Sequence, residues 1–325
     1  MTSPTTFNAA CLKFLSNVEK SMPSNTLQSY KSDLLGSGGF IPSLAPSIKL
    51  TSPIGALTEE HGVIFLQSLL DLGLTPATRR RRASTLREFF RFVSYEYDLP
   101  ISVDRLKYKI KSLHLLTGSQ STRSYPADKI RKMLAFAGTL RPLPDDLVAL
   151  RDLAFILTLA QTGLRVHEAV ALRVGSIDRD YRATIIGKGG KQATVTWGKD
   201  ARGRLNAYLK ARVILDGSTG RLREMVPLFA RHDQTSGKNK VKSITIKIGE
   251  KIVHNMAALA LGDGYDPAIT CHALRHYFGT EIYKITKDVK ATQKALRHAK
   301  SSTTLDIYVH RNDEEVAEIV KSVFG

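Results

Sequence analysis

The chain has 325 residues, 42% of them hydrophobic, enough for two ordinary domains with sizeable cores. Lys and Arg number 48 against 30 Asp and Glu, a formal charge of +18 spread along the whole chain, which points to a polyanionic partner, nucleic acid first, that the protein surrounds and does not merely touch with a tail. No run approaches the ~18 apolar residues of a membrane helix, the opening MTSPTTFNAACLKF lacks a signal-peptide pattern, and two distant cysteines, Cys11 and Cys271, suit a reducing cytoplasm better than a disulfide framework.

The first third reads as helical. Helices are predicted over residues 7–20 and 26–35, a Gly/Ser/Pro-rich loop over 36–53, and a third helix over 58–72. Thr75 and Pro76 supply an N-cap followed by proline at the first helical position, so a fourth helix should run to about Tyr97. At 100° per residue, Leu86, Phe90, Val93 and Tyr97 form one stripe, with Phe89 at its edge. Arg80, Arg87 and Arg91 lie a quarter-turn or more away, as candidates for phosphate contact; a solvated charged face would look the same. Arg79 and Arg82 fall on the apolar side, which predicts that the first turn extends beyond the core.

The small, polar stretch 115–125, LLTGSQSTRSY, reads as a linker between a domain at 1–118 and a second at 119–325. Helices resume at 126–137 and 145–161. The runs ATII and ATVTW flank the tight GKGGK segment, predicting a hairpin over 183–196. Further helices are expected at 200–214, 244–260, 272–285, 288–297 and 313–323. The fold class is mainly α with a small β-sheet.

Four segments carry chemistry. TGLRVHEAVALR holds Arg165 and Glu168, IIGKGGKQATV holds Lys188 and Lys191, CHALRHYFGTEI holds His272 and Arg275, and LRHAKSSTTLDIYVH holds His298 and Tyr308. A phosphodiester under attack carries negative charge on two non-bridging oxygens, which two planar guanidiniums, Arg165 and Arg275, are suited to clamp. Glu168, three residues after Arg165 and at the start of the next helix, is placed to hold that guanidinium. His272 and Arg275 share one helix face while Leu274, Tyr277, Phe278 and Ile282 share another, so the polar pair is expected to face a cleft. Tyr308 is the candidate nucleophile. Ionising a free tyrosine at pH 7 costs roughly 4 kcal/mol, which a pocket of Arg165, Arg275 and His298 would lower. The departing 5′-oxygen needs a proton, and either lysine of the GKGGK turn supplies a general acid. That turn is no P-loop, since no Ser/Thr follows either lysine. His272 and His276 stand four apart, but without an H-E-x-x-H or a Cys/His cluster no metal site is expected.

The order and spacing of these segments, 107, 3, 23 and 10 positions apart from Arg165 through Tyr308, resemble the tyrosine recombinase (phage integrase) family, Xer-like members in particular. That family's signature is T-G-x-R-x-x-E, a hairpin Lys, H-x-x-R, and a His nine or ten residues before a Tyr. The resemblance implies a catalytic domain from about 126 onward. It also implies an N-terminal helical, SAM-like core-binding domain, carried here by TLQSYKSDL, TEEHGVIFLQSLLDLG and TPATRRRRASTLREFFRFV, the two closing as a C-shaped clamp on duplex DNA. It favours Lys188 over Lys191 as the acid, gives His298 a hydrogen bond to the phosphate, and gives His272 a part in proton transfer. It further implies a homotetramer on two target sites, a Holliday junction, no cofactor, and a C-terminal helix carrying Val316, Ile319, Val320 and Phe324 that docks either on a neighbour or in cis. Two departures stand out: Arg297 occupies the place where the family usually has Gly, and Lys300 and Ser301 replace a commoner small-residue run. The short stretch before Phe7 is too small for an arm-binding domain, in keeping with a simple Xer-like enzyme. The alternatives are a type IB topoisomerase, which shares the chemistry, and a non-catalytic DNA-binding protein.

Overall fold

The computed structural model describes residues 5–44, 48–117, 126–186, 192–213, 223–232 and 241–297. Contacts divide the chain into two compact units, Met1–Arg123 and Ser124–Gly325. Among the described residues no helix is long and apolar enough to cross a membrane.

The first unit holds α1 (Phe7–Ser21), α2 (Ser24–Leu35), the short α3 (Phe40–Ser43), α4 (Glu59–Asp71), α5 (Pro76–Glu96) and α6 (Val103–Ser112). α5 starts as its sequence dictates. The Thr75 hydroxyl accepts from the Thr78 amide at 3.3 Å, and Pro76 sits where a missing N–H costs nothing. Its buried face is Leu86, Phe89, Phe90 and Val93. Phe14 meets Phe89 edge-on at 5.5 Å, and Phe40 meets Phe65 in the same way at 5.4 Å. Each such ring is worth roughly 1.5–3 kcal/mol of burial.

Three expectations for this unit need correction. The stretch 36–53 is not simply loop: α3 forms within it, and Phe40, Ile41, Leu44 and Ile48 join the core. The first turn of α5 does not extend beyond the core. Arg79 is 4% exposed, and its Nε, Nη1 and Nη2 donate to the carbonyls of Leu74, Leu115 and Thr117 at 3.0, 2.5 and 2.9 Å. A rigid fork of N–H donors fits three converging carbonyls and makes an apolar-side arginine tolerable. Arg82 likewise turns inward, to the Gly38 carbonyl and toward Asp33. Leu115, read as linker, is fully buried and belongs to this core. Helix α6 was not anticipated. Ser102 caps it by accepting from the Arg105 amide, Leu106 and Ile110 face inward, and the bare Cα of Gly62 on α4 leaves room for Leu106 and Leu86.

The second unit holds α7 (Ala127–Thr139), α8 (Leu147–Thr162), α9 (Val166–Ala171), β1 (Arg182–Ile186), β2 (Gln192–Thr196), α10 (Lys199–Ala211), α11 (Ile246–Leu261), α12 (Cys271–Thr286) and α13 (Val289–Leu296). α8 is its axis. Leu153, Ala154, Phe155, Ile156, Leu159 and Ala160 are buried around most of its circumference, the pattern of a helix packed on all sides. β1 and β2 pair antiparallel from Arg182↔Thr196 to Ile186↔Gln192, with Ala183, Ile185 and Val195 buried. Just beyond β2, the Trp197 indole N–H donates to the Thr158 hydroxyl at 2.9 Å and fastens the hairpin to α8. The GKGGK segment, with Lys188 and Lys191, lies outside the described residues, as do His298, Tyr308 and the helix expected at 313–323.

Candidate active site

α8 ends at Gly163, in the left-handed region at φ +59, and a Cβ there would run into the Phe278 ring. Both constraints require glycine. The sharp exit delivers Arg165 to the N-cap position of α9, three residues before Glu168. Glu168 is 8% exposed and turns back on the turn that carries it. One oxygen accepts from the Arg165 amide at 2.7 Å and the other from the Arg165 Nη1 at 3.1 Å. Burial alone would raise this carboxyl's pKa. The Arg165 amide and the charges of Arg297 and Arg165 outweigh burial and hold it below the ordinary carboxylate value. The Arg165 side chain remains 38% exposed, so its guanidinium is both fixed and accessible.

Arg275, on α12, is 2% exposed. Its Nη1 donates to the Gly163 carbonyl and its Nη2 to the carbonyl of Leu296, the last residue of α13. One side chain thus joins the T-G-x-R turn, the H-x-x-R helix and the residue two before His298. Arg297 completes the cluster. It sits at φ +56, its side chain is 9% exposed, and its Nη2 donates to the Glu168 carboxylate at 2.9 Å and the Gly163 carbonyl at 3.0 Å.

His272 opens to solvent on one side. On the other its ring meets His276 edge-to-face at 4.4 Å. Partial desolvation of the ring, then the nearby positive charges of Arg275 and Arg165, lower its pKa against a smaller opposing pull from Glu250. The neutral imidazole therefore predominates at pH 7. Glu250, on α11, accepts from the Cys271 amide at 3.1 Å and fixes the start of α12. Among the described residues no group of three His, Cys, Asp or Glu is arranged to hold a metal ion.

Residues 124–315 match the family model described as "Phage integrase family". The chain belongs to this family. Residues 12–97 match the family's N-terminal SAM-like domain. The tyrosine recombinase XerD of Listeria innocua is 28% identical over 309 residues, covering 94% of each chain. The XerC of Alcanivorax borkumensis is 27% identical, over 93% of this chain and 88% of that one. The fold matches that of the XerH site-specific recombinase in a post-cleavage complex with palindromic difH substrate, at a TM-score of 0.66 and 19% identity over 99% of this chain and 98% of that one. It also matches that of the Tn1549 transposon integrase bound to transposon right-end DNA, at 0.67 and 14%, over 99% and 100%. The chain is thus an Xer-like tyrosine recombinase, mainly α with a two-stranded sheet.

Set against the family's signature, the structure gathers Arg165, Glu168, His272 and Arg275 in one place. It departs from the sequence reading in one respect: His272 and Arg275 do not share an open cleft. His272 reaches solvent, whereas Arg275 is drawn inside because two backbone carbonyls meet its fork. In the first unit Arg80 is exposed and Arg87 half-buried, and neither has a hydrogen bond or ion pair among the described residues. Arg91 is instead held by both oxygens of Glu88 at 2.6 Å. Two contributors lie outside the expected set of site residues. Glu250 gives no signal, being one acid on an amphipathic helix. Arg297 does give one, a long cation in a position where the family usually has glycine.

Proposed function

We propose that this chain performs site-specific DNA recombination, cutting and rejoining strands through a 3′-phosphotyrosine at Tyr308. The observation that carries this reading is the pair of hydrogen bonds that Arg275 donates to the Gly163 and Leu296 carbonyls, which draws three signature segments around one cationic pocket. Arg165, accessible and braced by Glu168, binds the non-bridging oxygens of the scissile phosphate, where negative charge grows in the transition state, and Arg275, held behind it on the Gly163 and Leu296 carbonyls, adds its positive charge. His272, neutral at pH 7, accepts the phenol proton as Tyr308 attacks. Lys188 delivers a proton to the departing 5′-oxygen, with Lys191 as the runner-up, and His298 donates to the phosphate.

The attack exchanges one phosphodiester for another. The 5′-hydroxyl of the partner strand then attacks the phosphotyrosine, releases Tyr308 and restores the backbone by way of a Holliday junction. The bond energy stays in the phosphotyrosine, so resealing calls on no nucleotide. Four protomers on two duplex sites perform the two rounds of exchange, in the cytoplasm where the DNA lies. Arg80, Arg87 and Arg91 on α5 contribute phosphate contacts outside the pocket.

A nicked suicide duplex made from the sequence flanking the gene tests this. The parent protein should form a covalent adduct that survives denaturation, and Tyr308→Phe should form none. An adduct on Tyr308→Phe would move the nucleophile elsewhere. Relaxation of plasmids that lack the site would favour a topoisomerase, and tight binding without any adduct would reduce the chain to a DNA-binding protein.

A further inference from the structure

We propose that Arg297 is a positioning residue that holds Glu168, and through it Arg165, in the geometry that receives a phosphate. This rests on the recombinase reading above and adds to it a residue outside the family's signature. Arg297 follows α13 in the left-handed region at φ +56, a conformation that L side chains rarely adopt and that glycine adopts freely. A strained residue persists where its surroundings compensate for it. Here the compensation is visible: the nearly buried guanidinium reaches the other signature turn and donates to the Glu168 carboxylate and to the Gly163 carbonyl.

The charge balance explains what this achieves. Glu168 paired with Arg165 alone is a neutral unit, and a carboxylate that fixes an arginine also weakens that arginine's attraction for an anion. Arg297 shares the same carboxylate, so the trio carries a net positive charge while Arg165 stays fixed. Glu168 is faced by Arg165 from its own turn and by Arg297 from the end of α13. On α12, His272 and Arg275 lie beside Arg165, and on α11 Glu250 is engaged by the Cys271 amide. Arg297 and Arg165 both pull the Glu168 pKa down.

The test uses the whole chain, four single variants, Arg297→Gly, Arg297→Gln, Arg297→Lys and Glu168→Gln, and the double variant that joins Arg297→Gly to Glu168→Gln. In the DNA-free protein, ¹³C-carboxyl NMR should show the Glu168 titration moving to higher pH in Arg297→Gly and Arg297→Gln, and returning toward the parent in Arg297→Lys. On the nicked suicide duplex, single-turnover adduct formation should fall ~10- to 100-fold in Arg297→Gly, as expected for a residue that orients a binding group, and Arg297→Lys should recover most of that loss. In the Glu168→Gln background, Arg297→Gly should add little further loss, because both changes break one chain of contacts. Adduct formation at the parental rate in Arg297→Gly, or losses that multiply in the double variant, would overturn the proposal. So would equal failure of the Lys and Gly variants. If the parent itself forms no adduct, the recombinase reading fails, while the titration still decides whether Arg297 governs Glu168.

Discussion

Arg79 in the first unit and Arg275 in the second are both buried on backbone carbonyls, and they differ in what lies beside them. Arg79 serves the first unit by tying the start of α5 to the carbonyls of Leu115 and Thr117. Elsewhere in that unit several cations are paired with carboxylates, Arg81 and Arg82 with Asp33, Arg91 with Glu88, Lys13 with Glu96, Lys109 with Glu60, and Lys107 with Asp104, while Arg80 and Arg87 are not, among the described residues. Arg275 makes the same kind of bonds in the second unit, but beside Arg165, Arg297 and His272, with Glu168 the carboxylate that pairs with this cluster. Folding needs a buried guanidinium to be hydrogen-bonded; it does not need three of them to converge. The surplus positive charge is what sets the Arg275 cluster apart from a structural anchor and, under the proposed function, suits it to an anion.

The largest effect that would break this comparison comes from exchanging the two anchors' fates. Arg79→Met should leave buried carbonyls without donors and cost the first unit about 2–4 kcal/mol. Adduct formation should be unchanged at temperatures where that unit is folded. Arg275→Lys removes the fork that spans the T-G-x-R turn and Leu296, and single-turnover cleavage should fall about 100- to 1000-fold. Thermal melts run beside cleavage assays decide the matter. Equal damage to cleavage by both variants, measured on folded protein, would mean that the distinction is false.

What the sequence discloses differs between the units for the same reason. α5 was legible end to end because its cap, its proline and its apolar stripe are local signals, and the hairpin strands because alternation and a glycine-rich turn are local too. The inward fold of Arg79 was not, since its partners at Leu115 and Thr117 lie 36 and 38 residues away. α6 carries two well-buried apolar residues, Leu106 and Ile110, among five charged ones, too thin a stripe to read without its neighbour α4. In the pocket, the order and spacing of the segments anticipated that Arg165, Glu168, His272 and Arg275 come together, whereas the burial of Arg275 depends on carbonyls of two other segments. The role of Arg297 was hidden because a charge in a glycine position reads only as a departure until the structure shows what it touches.

A smaller effect sharpens the comparison through pH. His272 is a base whose pKa is lowered in the folded state from an ordinary 6.5. Well above 6.5 it is neutral both folded and unfolded and changes nothing. As pH falls below 6.5 the unfolded chain takes the proton first, so stability declines until the folded pKa is passed. Denaturant midpoints followed downward from pH 7 should therefore decline, and His272→Gln should flatten that decline. In the parent, the loss of cleavage in acid should reach its half-maximal point below pH 6.5, because a protonated ring no longer accepts the phenol proton. A half-maximal rate above pH 6.5 would remove His272 from the proton path.

The smallest effect concerns the arginines on the outer face of α5. Affinity for duplex DNA should fall with salt, and each arginine that neutralises a phosphate contributes about 0.9 to the log–log slope. Arg80 and Arg87 have no carboxylate partner among the described residues, so alanine at either should lower the slope by nearly that amount. Arg91 is gripped by both Glu88 oxygens. Swinging it to a phosphate costs little, since exposed pairs are worth under about 1 kcal/mol, but it leaves the Glu88 carboxylate facing the same phosphate and cancels much of the gain. Arg91→Ala should therefore change the slope by well under half as much as Arg87→Ala, and Glu88→Ala should raise the slope. Equal slopes for the Arg87 and Arg91 variants would mean that the Glu88 pair opens on DNA, and that matched charges in the first unit are as available to a polyanion as unmatched ones.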